Sequence, residues 1–320
     1  MSGKPLLPQA SSVAAPVDHL LLFMLLLSGL IVAGVCTAIV WLSVRYRRGS
    51  SAARTPGGER ELGIELTWTL LPLGIFLGLF IWSIRLFARM ESPPADAVPV
   101  YVVARQWMWK AQHADGQREI NQLHVPLGVP VRLLLTSEDV IHSFYVPAFR
   151  LKQDVLPDRY TQLWFQATAT GEYELFCSEF CGTDHARMSG RVVVMAPAGY
   201  AGWLADHAPP QGLAVRGAAV FRQYGCSGCH MPGGTVRAPS LAGLYGKPVP
   251  LADGNVALAD EAYIRDSIML PAKQVVAGYA PVMPSFAGQI SEEDIIALIA
   301  YLKSGGPADS IERGTGAAPP

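Results

Sequence analysis

The sequence predicts a membrane-anchored protein in three parts: a two-helix transmembrane hairpin, an all-β domain of Greek-key type and an all-α domain. Three observations predict this. Two long apolar runs fall within the first 90 residues. Short strand-like segments, rich in β-branched and aromatic residues, then fill about 100 residues. Beyond a proline-containing break, helical patterns flank a Cys-x-x-Cys-His motif. Half of the 320 residues are hydrophobic, too many for an ordinary soluble chain and too few for a bundle lying wholly in lipid. The net charge of -1 gives no reason to expect nucleic acid as a partner.

The first apolar run, residues 20–44, is LLLFMLLLSGLIVAGVCTAIVWLSV. As a helix it is roughly 37 Å long, enough to cross a bilayer with some tilt. It is too long for the core of a cleaved signal peptide, and its basic cluster, RYRR, lies on the far side. Val35 occupies the position where a lipoprotein signal wants Gly or Ala, so Cys36 reads as a small apolar residue. The second run, residues 66–87, reaches roughly 33 Å. Its Pro72 is tolerable where neighbours satisfy the freed carbonyl, and its Arg85 is placed to snorkel. The loop between the runs carries Arg45, Arg47, Arg48, Arg54 and Arg60, which marks it as cytoplasmic. Everything after residue 90 then lies outside. Glu65, at the cytoplasmic start of the second run, reads equally as a helix-start acid favoured by the dipole or as a group for proton uptake.

Pro93 and Pro94 break the helical pattern. The segments VPVYVVARQWMWKAQ, VPVRLLLTS, TQLWFQA, GEYELF and GRVVVM then read as strands of a sandwich or barrel, without an intervening helix. The stretch CSEFCGTDHARM follows one strand and brings Cys177, Cys181, His185 and Met188 together, while His142 ends an earlier segment, SEDVIHSF. Thiolate, imidazole and a weak thioether select copper in an electron-transfer site. One copper needs one cysteine, so the second lets two thiolates bridge two metals. A Cys177–Cys181 disulfide or a structural zinc site are the alternatives. His113, His124 and His207 lack such company and read as surface or structural residues.

Residues 200–212 read as a short linker, roughly 20 Å in flexible reach, that tethers the last domain. There, Cys226-Ser-Gly-Cys229-His230 has the form of a c-type haem attachment site, with His230 on one face of the iron. A methionine on the other face would suit electron transfer. Met231 adjoins His230 and cannot reach across, which leaves Met269 and Met283. Ser291 is a good N-cap for the final helix, with Glu292, Glu293 and Asp294 in its first turn.

The copper-ligand stretch, SEDVIHSF, the QWMW at 106–109 and the ELTWTLLP at 65–72 together resemble cytochrome c oxidase subunit II over residues 18–200. Residues 212–306 resemble class I cytochromes c. The pair is similar to the fused subunit II of caa-type oxidases. That resemblance implies a cupredoxin-like barrel with a binuclear copper (CuA) centre, in which Cys177 and Cys181 bridge the coppers and His142, His185, Met188 and the Glu179 carbonyl complete them. It implies that the Glu179 carboxylate reaches a magnesium shared with subunit I, that Trp107 serves electron input, and that Glu65 stands at the mouth of a proton channel. For the haem it implies Met283 as the second ligand, with Met269 as the other candidate, and a Pro239 carbonyl that orients His230; Pro239 otherwise reads as a loop residue. The implied partners are subunit I, subunit III, and cytochrome c or a quinol–cytochrome c reductase as donor, in a bacterial inner membrane. The expected division is an external segment (1–18), hairpin (19–90), copper domain (91–200), linker (201–212), cytochrome domain (213–306) and disordered tail (307–320). The chain lacks the histidines for an oxygen-reducing site within its spans, so that chemistry belongs to a partner. An electron-input subunit of a copper-containing nitric oxide reductase is the alternative.

Overall fold

The computed structural model describes residues 8–52, 59–209, 211–231 and 238–307. The two apolar runs lie inside helices α1 (Ala14–Arg45) and α2 (Glu59–Glu91), both long and apolar enough to span a membrane. Their apolar side chains point outward along most of their length, as expected of a lipid-facing or partner-facing surface. Phe23 and Trp82 meet across the pair with ring centroids 5.7 Å apart. Arg54 and the side chain of Arg60 lie outside the described residues.

Both helices are fixed to the external domain. Ala10, Val13 and Ala14 are buried in or beside its core. Ser11 pairs with Ala167, and the Ser11 hydroxyl donates to the Phe149 carbonyl. Arg150 holds Asp18 through two bonds of 2.7 and 2.8 Å. At the other helix, the Trp164 indole donates to the Arg89 carbonyl. The described part of the external segment before the first span is therefore built into the β domain. This also places the start of α1 and the end of α2 on one side.

The β domain contains ten strands: β1 (Val98–Arg105), β2 (Met108–His113), β3 (Arg118–Ile120), β4 (Gln122–Pro126), β5 (Pro130–Ser137), β6 (His142–Val146), β7 (Leu151–Val155), β8 (Thr161–Gln166), β9 (Gly171–Cys177) and β10 (Ser189–Met195). They form two five-stranded sheets in the orders β3-β2-β1-β5-β8 and β4-β10-β9-β6-β7. The β1–β5 and β4–β10 neighbours are parallel and distant in sequence, as a sandwich with crossing connections requires. Val100, Val102, Leu133, Leu135, Trp109, Phe144, Phe165 and Leu175 fill the space between the sheets. Strands β3, β4 and β7 are additional to the segments read from the sequence, and His142 heads strand β6 rather than ending a strand.

The presumed linker begins inside a helix, α3 (Pro197–Asp206), which packs on the β domain. Trp203 stacks on His124, with centroids 4.5 Å apart, and the Tyr200 hydroxyl lies 3.1 Å from His113 Nδ1. His113 and His124 share the Glu119 carboxylate, so they do have company, although not that of a metal site. The last domain comprises α4 (Leu213–Gln223), α5 (Ser227–His230), a small ribbon of β11 (Pro248–Pro250) and β12 (Val256–Leu258), α6 (Glu261–Met269) and α7 (Glu292–Lys303). Ser291 caps α7 as expected, accepting from the Asp294 amide. Beyond residue 307 the expected tail lies outside the described residues.

This domain is docked on the β domain through a built junction. Strand β1 buries both faces: Val100 and Val102 point into the sandwich, while Tyr101 and Val103 join Leu134, Leu213, Ile296 and Ala297 in a second apolar cluster. An unalternating run such as VYVVA is what a strand covered on both sides needs. Arg132 bonds Glu261 at 2.8 Å and Lys110 bonds Glu293 at 3.0 Å across the junction. Tyr160 enters the edge of the last domain's core, beneath Arg265.

The junction is acid-sensitive. Burial pushes the Glu261 carboxyl up, but Lys303 and Arg132 outweigh it and bring it down to about 2. Burial likewise opposes ionisation of Glu293, and Lys110 reverses it to a lowered value. A depressed carboxylate contributes stability above its unfolded pKa, and that contribution fades as pH falls towards the folded value. The stability of this last domain is therefore expected to drop between about pH 4.5 and pH 2, by on the order of 2 kcal/mol from Glu261. Unfolding midpoints of wild type and Glu261→Gln over that range check this; equal slopes would reject it.

Candidate functional site

Strand pairing assembles the ligand set. Phe144 on β6 faces Cys177 on β9, which brings His142 at the head of β6 beside the end of β9. The Ser178 amide donates to the Ser143 carbonyl, and the Cys177 amide to the Met188 carbonyl, so strand and loop close on each other. His142, Cys177, Cys181 and Met188 are all buried. Trp109, also buried, meets His142 and Phe144 edge-on.

The two sulfurs stand 3.8 Å apart and are free thiols. His142 Nδ1 lies 3.9 Å from Cys177 Sγ, and His185 Nδ1 3.4 Å from Cys181 Sγ. The Met188 sulfur is 3.8 Å from Cys181 Sγ, and the Glu179 carbonyl 3.2 Å from Cys177 Sγ. Each thiol thus has one imidazole nitrogen and one weak donor. Burial pushes the Cys177 thiol up, yet its contact with His142 and nearby backbone groups bring it well down. Burial and the neighbouring Cys177 charge push the Cys181 thiol up. Two ionised sulfurs this close repel, and a bound cation is what would hold both as thiolates. With soft sulfur, imidazole and thioether donors, the residues fit copper.

The Cys-x-x-Cys-His motif forms α5 and its N-cap, Cys226. Cys226 and Cys229 are half-buried free thiols, and Cys226 borders a core that includes Met269, Phe286 and Ile268. His230 Nδ1 bonds the Pro239 carbonyl at 2.9 Å, which leaves Nε2 free to ligate. Met269 is packed in the core, whereas Met283 is half-buried in a segment without regular structure. The Ser285 hydroxyl ties that segment to the Met269 carbonyl at 2.6 Å. These residues fit a covalently held haem with a histidine ligand.

The chain matches three family models: "Cytochrome C oxidase subunit II, transmembrane domain" over residues 3–86, "Cytochrome C oxidase subunit II, periplasmic domain" over 101–196, and "Cytochrome c" over 214–306. It is 30% identical over 308 residues to the cytochrome c oxidase subunit 2 of Alkalihalophilus pseudofirmus, covering 90% of this chain and 86% of that protein. The chain belongs to the cytochrome c oxidase subunit II family. It is also 31% identical over 254 residues to cytochrome c oxidase subunit 2 of Thermostichus vulcanus, covering 62% of this chain and 77% of that one. Among solved structures, the periplasmic domain of subunit II of cytochrome oxidase from Bradyrhizobium japonicum aligns at 28% identity and a TM-score of 0.35, over 36% of this chain and 96% of that one. This subunit is thus a membrane protein with an external domain, part of an oxidoreductase complex, and carries a C-terminal cytochrome c domain. Family membership disfavours the nitric oxide reductase alternative.

Trp107 is half-buried and packs beside Gly182 in the ligand loop. Glu179 is exposed at its side chain. Glu65 lies exposed on α2, remote in sequence from both sites. Sequence reading passed over Asp139, Gln106 and Gly182, which touch the ligands directly or through one bond. The available signal was an acid three residues before a ligand histidine, a common arrangement for fixing an imidazole.

Proposed function

We propose that this subunit is the electron-input arm of an oxygen-reducing haem–copper oxidase, with a two-copper centre on its β domain and haem c on its last domain. The observation that carries the reading is the pair of thiols 3.8 Å apart with an imidazole nitrogen against each. Cys177 and Cys181 would hold the copper pair with their thiolates, and His142, His185, Met188 and the Glu179 carbonyl would supply the remaining donors. When bound, the copper pair and the haem supply one-electron carriers between an external donor, cytochrome c or a quinol–cytochrome c reductase, and subunit I. Cys226 and Cys229 hold the haem by thioether bonds, His230 and Met283 ligate it, and the Pro239 carbonyl orients His230. The Glu179 carboxylate, which is exposed, would meet a magnesium shared with subunit I. Subunit III is a further partner, and the bacterial inner membrane is the site, with both cofactor domains outside. Trp107, packed against the ligand loop, is the electron-input side chain.

Flash reduction of the haem in the purified complex, followed at the copper absorbance, tests this arrangement. Transfer should be first order and independent of protein concentration, and slower in Trp107→Ala. A rate that rises with protein concentration would exclude the fused haem as internal donor.

Two further outcomes are expected. Met283→His should keep the haem attached but lower its potential, because imidazole donates more strongly than thioether; a redox titration with an unmoved midpoint would point to Met269. Glu65→Ala should slow turnover several-fold with copper and haem contents intact, if this carboxylate takes up protons. Oxygen uptake at wild-type rates across pH would reject that role for Glu65, and because α2 begins at Glu59 the helix-start reading does not replace it.

A further inference from the structure

The ligand loop is braced by residues that bind no metal themselves. Asp139 lies in the turn between β5 and β6, three residues before His142. Its Oδ1 meets His142 Nε2 at 2.9 Å and accepts from the Val140 amide at 2.7 Å. Its Oδ2 accepts from the Gln106 amide at 2.8 Å. The Gln106 side chain then donates to the Cys181 carbonyl at 2.8 Å. One chain of bonds therefore runs from His142 through Asp139 and Gln106 to Cys181, joining three turns that are far apart in sequence.

Each link has a geometric consequence. A carboxylate at Nε2 keeps the proton there, so the His142 Nδ1 lone pair faces Cys177. The bond to the Cys181 carbonyl fixes the loop backbone at the residue carrying the second sulfur. Gly182 permits that approach: its φ is +116°, and a Cβ there would lie 2.9 Å from Gln106 Nε2 and 3.4 Å from Trp107 Cζ2. Arg105, Gln106, Trp107, Glu138 and Asp139 line an open cleft on the outer side of the brace.

We propose that Asp139 and Gln106 act as one positioning unit for the ligand set, Asp139 setting the orientation of His142 and Gln106 holding the Cys181 backbone. The proposal rests on the two-copper reading above, and its test has one arm that needs no copper.

In the full-length chain, Asp139→Asn and Gln106→Ala are compared with wild type by copper affinity, electron paramagnetic resonance of the copper-loaded form, and alkylation rate of Cys181 in the copper-free form. Asp139→Asn is expected to lose 10- to 100-fold in copper affinity and to change the hyperfine pattern of the copper that remains. Gln106→Ala is expected to speed Cys181 alkylation several-fold, because the loop opens more often. A merely structural role would leave the spectrum per bound copper unaltered. Wild-type affinity and spectrum in Asp139→Asn, or wild-type alkylation in Gln106→Ala, overturns the proposal. If Asp139→Asn fails to fold, the Gln106→Ala arm decides alone. Failure of wild type to bind copper would instead reject the two-copper reading, and the alkylation arm would still judge the brace.

Discussion

Replacing Cys181 by serine is expected to abolish the mixed-valence two-copper signal and to halve the copper content of the β domain. The two sulfurs are 3.8 Å apart, with imidazole nitrogens at 3.9 and 3.4 Å. That spacing would let both thiolates reach the same metals, and His142, Cys177 and Cys181 are the one close cluster of three metal-ligating side chains among the described residues. A serine hydroxyl is a hard, weak donor that does not bridge copper ions as thiolate does. What remains is Cys177, His142, His185 and Met188, the donor set of a one-copper site. Metal analysis should fall from two coppers per chain to one, and the paramagnetic spectrum should become that of a single copper. Haem content should not change, because Cys226 and Cys229 belong to another domain. Two coppers with an unaltered mixed-valence spectrum in Cys181→Ser would sink the assignment.

Gly217→Ala is expected to destabilise the cytochrome domain by about 3 kcal/mol, the upper end of overpacking effects. Gly217 lies on α4 where that helix crosses α7. A Cβ there would lie 1.9 Å from the Ala297 carbonyl oxygen, 2.6 Å from its carbon and 2.7 Å from Tyr301 Cβ. None of these atoms is the end of a flexible side chain, so the helices must separate. The neighbours of the crossing, Val220, Phe221, Ile295, Leu298 and Ile299, would lose their packing. Because Ile296 and Ala297 also cover Tyr101 and Val103, the junction with the β domain should loosen too. Denaturant unfolding followed at the haem absorbance measures the first effect, and proteolysis between the domains the second. An unfolding midpoint like that of wild type would show that the crossing can relax.

The chemistry was legible because its residues are local in sequence. Cys177, Cys181, His185 and Met188 fall within 12 positions, and Cys226, Cys229 and His230 within five, so type and spacing alone indicate copper and haem. His142 lay farther off and was joined to the set by its donor type, while the role of Pro239 needed a resemblance; the strand pairing brings His142 to the site, and a 2.9 Å bond brings the Pro239 carbonyl to His230. The brace was legible only as the acid three residues before His142, without its partners. Gln106, Asp139 and Cys181 meet only after β1, β6 and β9 have folded, and neither glutamine nor aspartate advertises a role by type.

Sequence by itself determined the two apolar spans, the strand-rich middle, the helical end and the two ligand clusters. Each of these is a property of nearby residues: span length, periodicity, capping, or the donor chemistry of a short motif. The tertiary structure alone decided that the start of α1 is built into the β domain through Ser11, Arg150 and Asp18, and that Pro197–Asp206 is a helix rather than a tether. It also decided that the cytochrome domain sits against β1 and β5. The reason is that an apolar strand face carries no record of what will cover it. Tyr101, Val103 and Leu134 read as strand residues, and only their burial against Leu213, Ile296 and Ala297 turns that face into a junction.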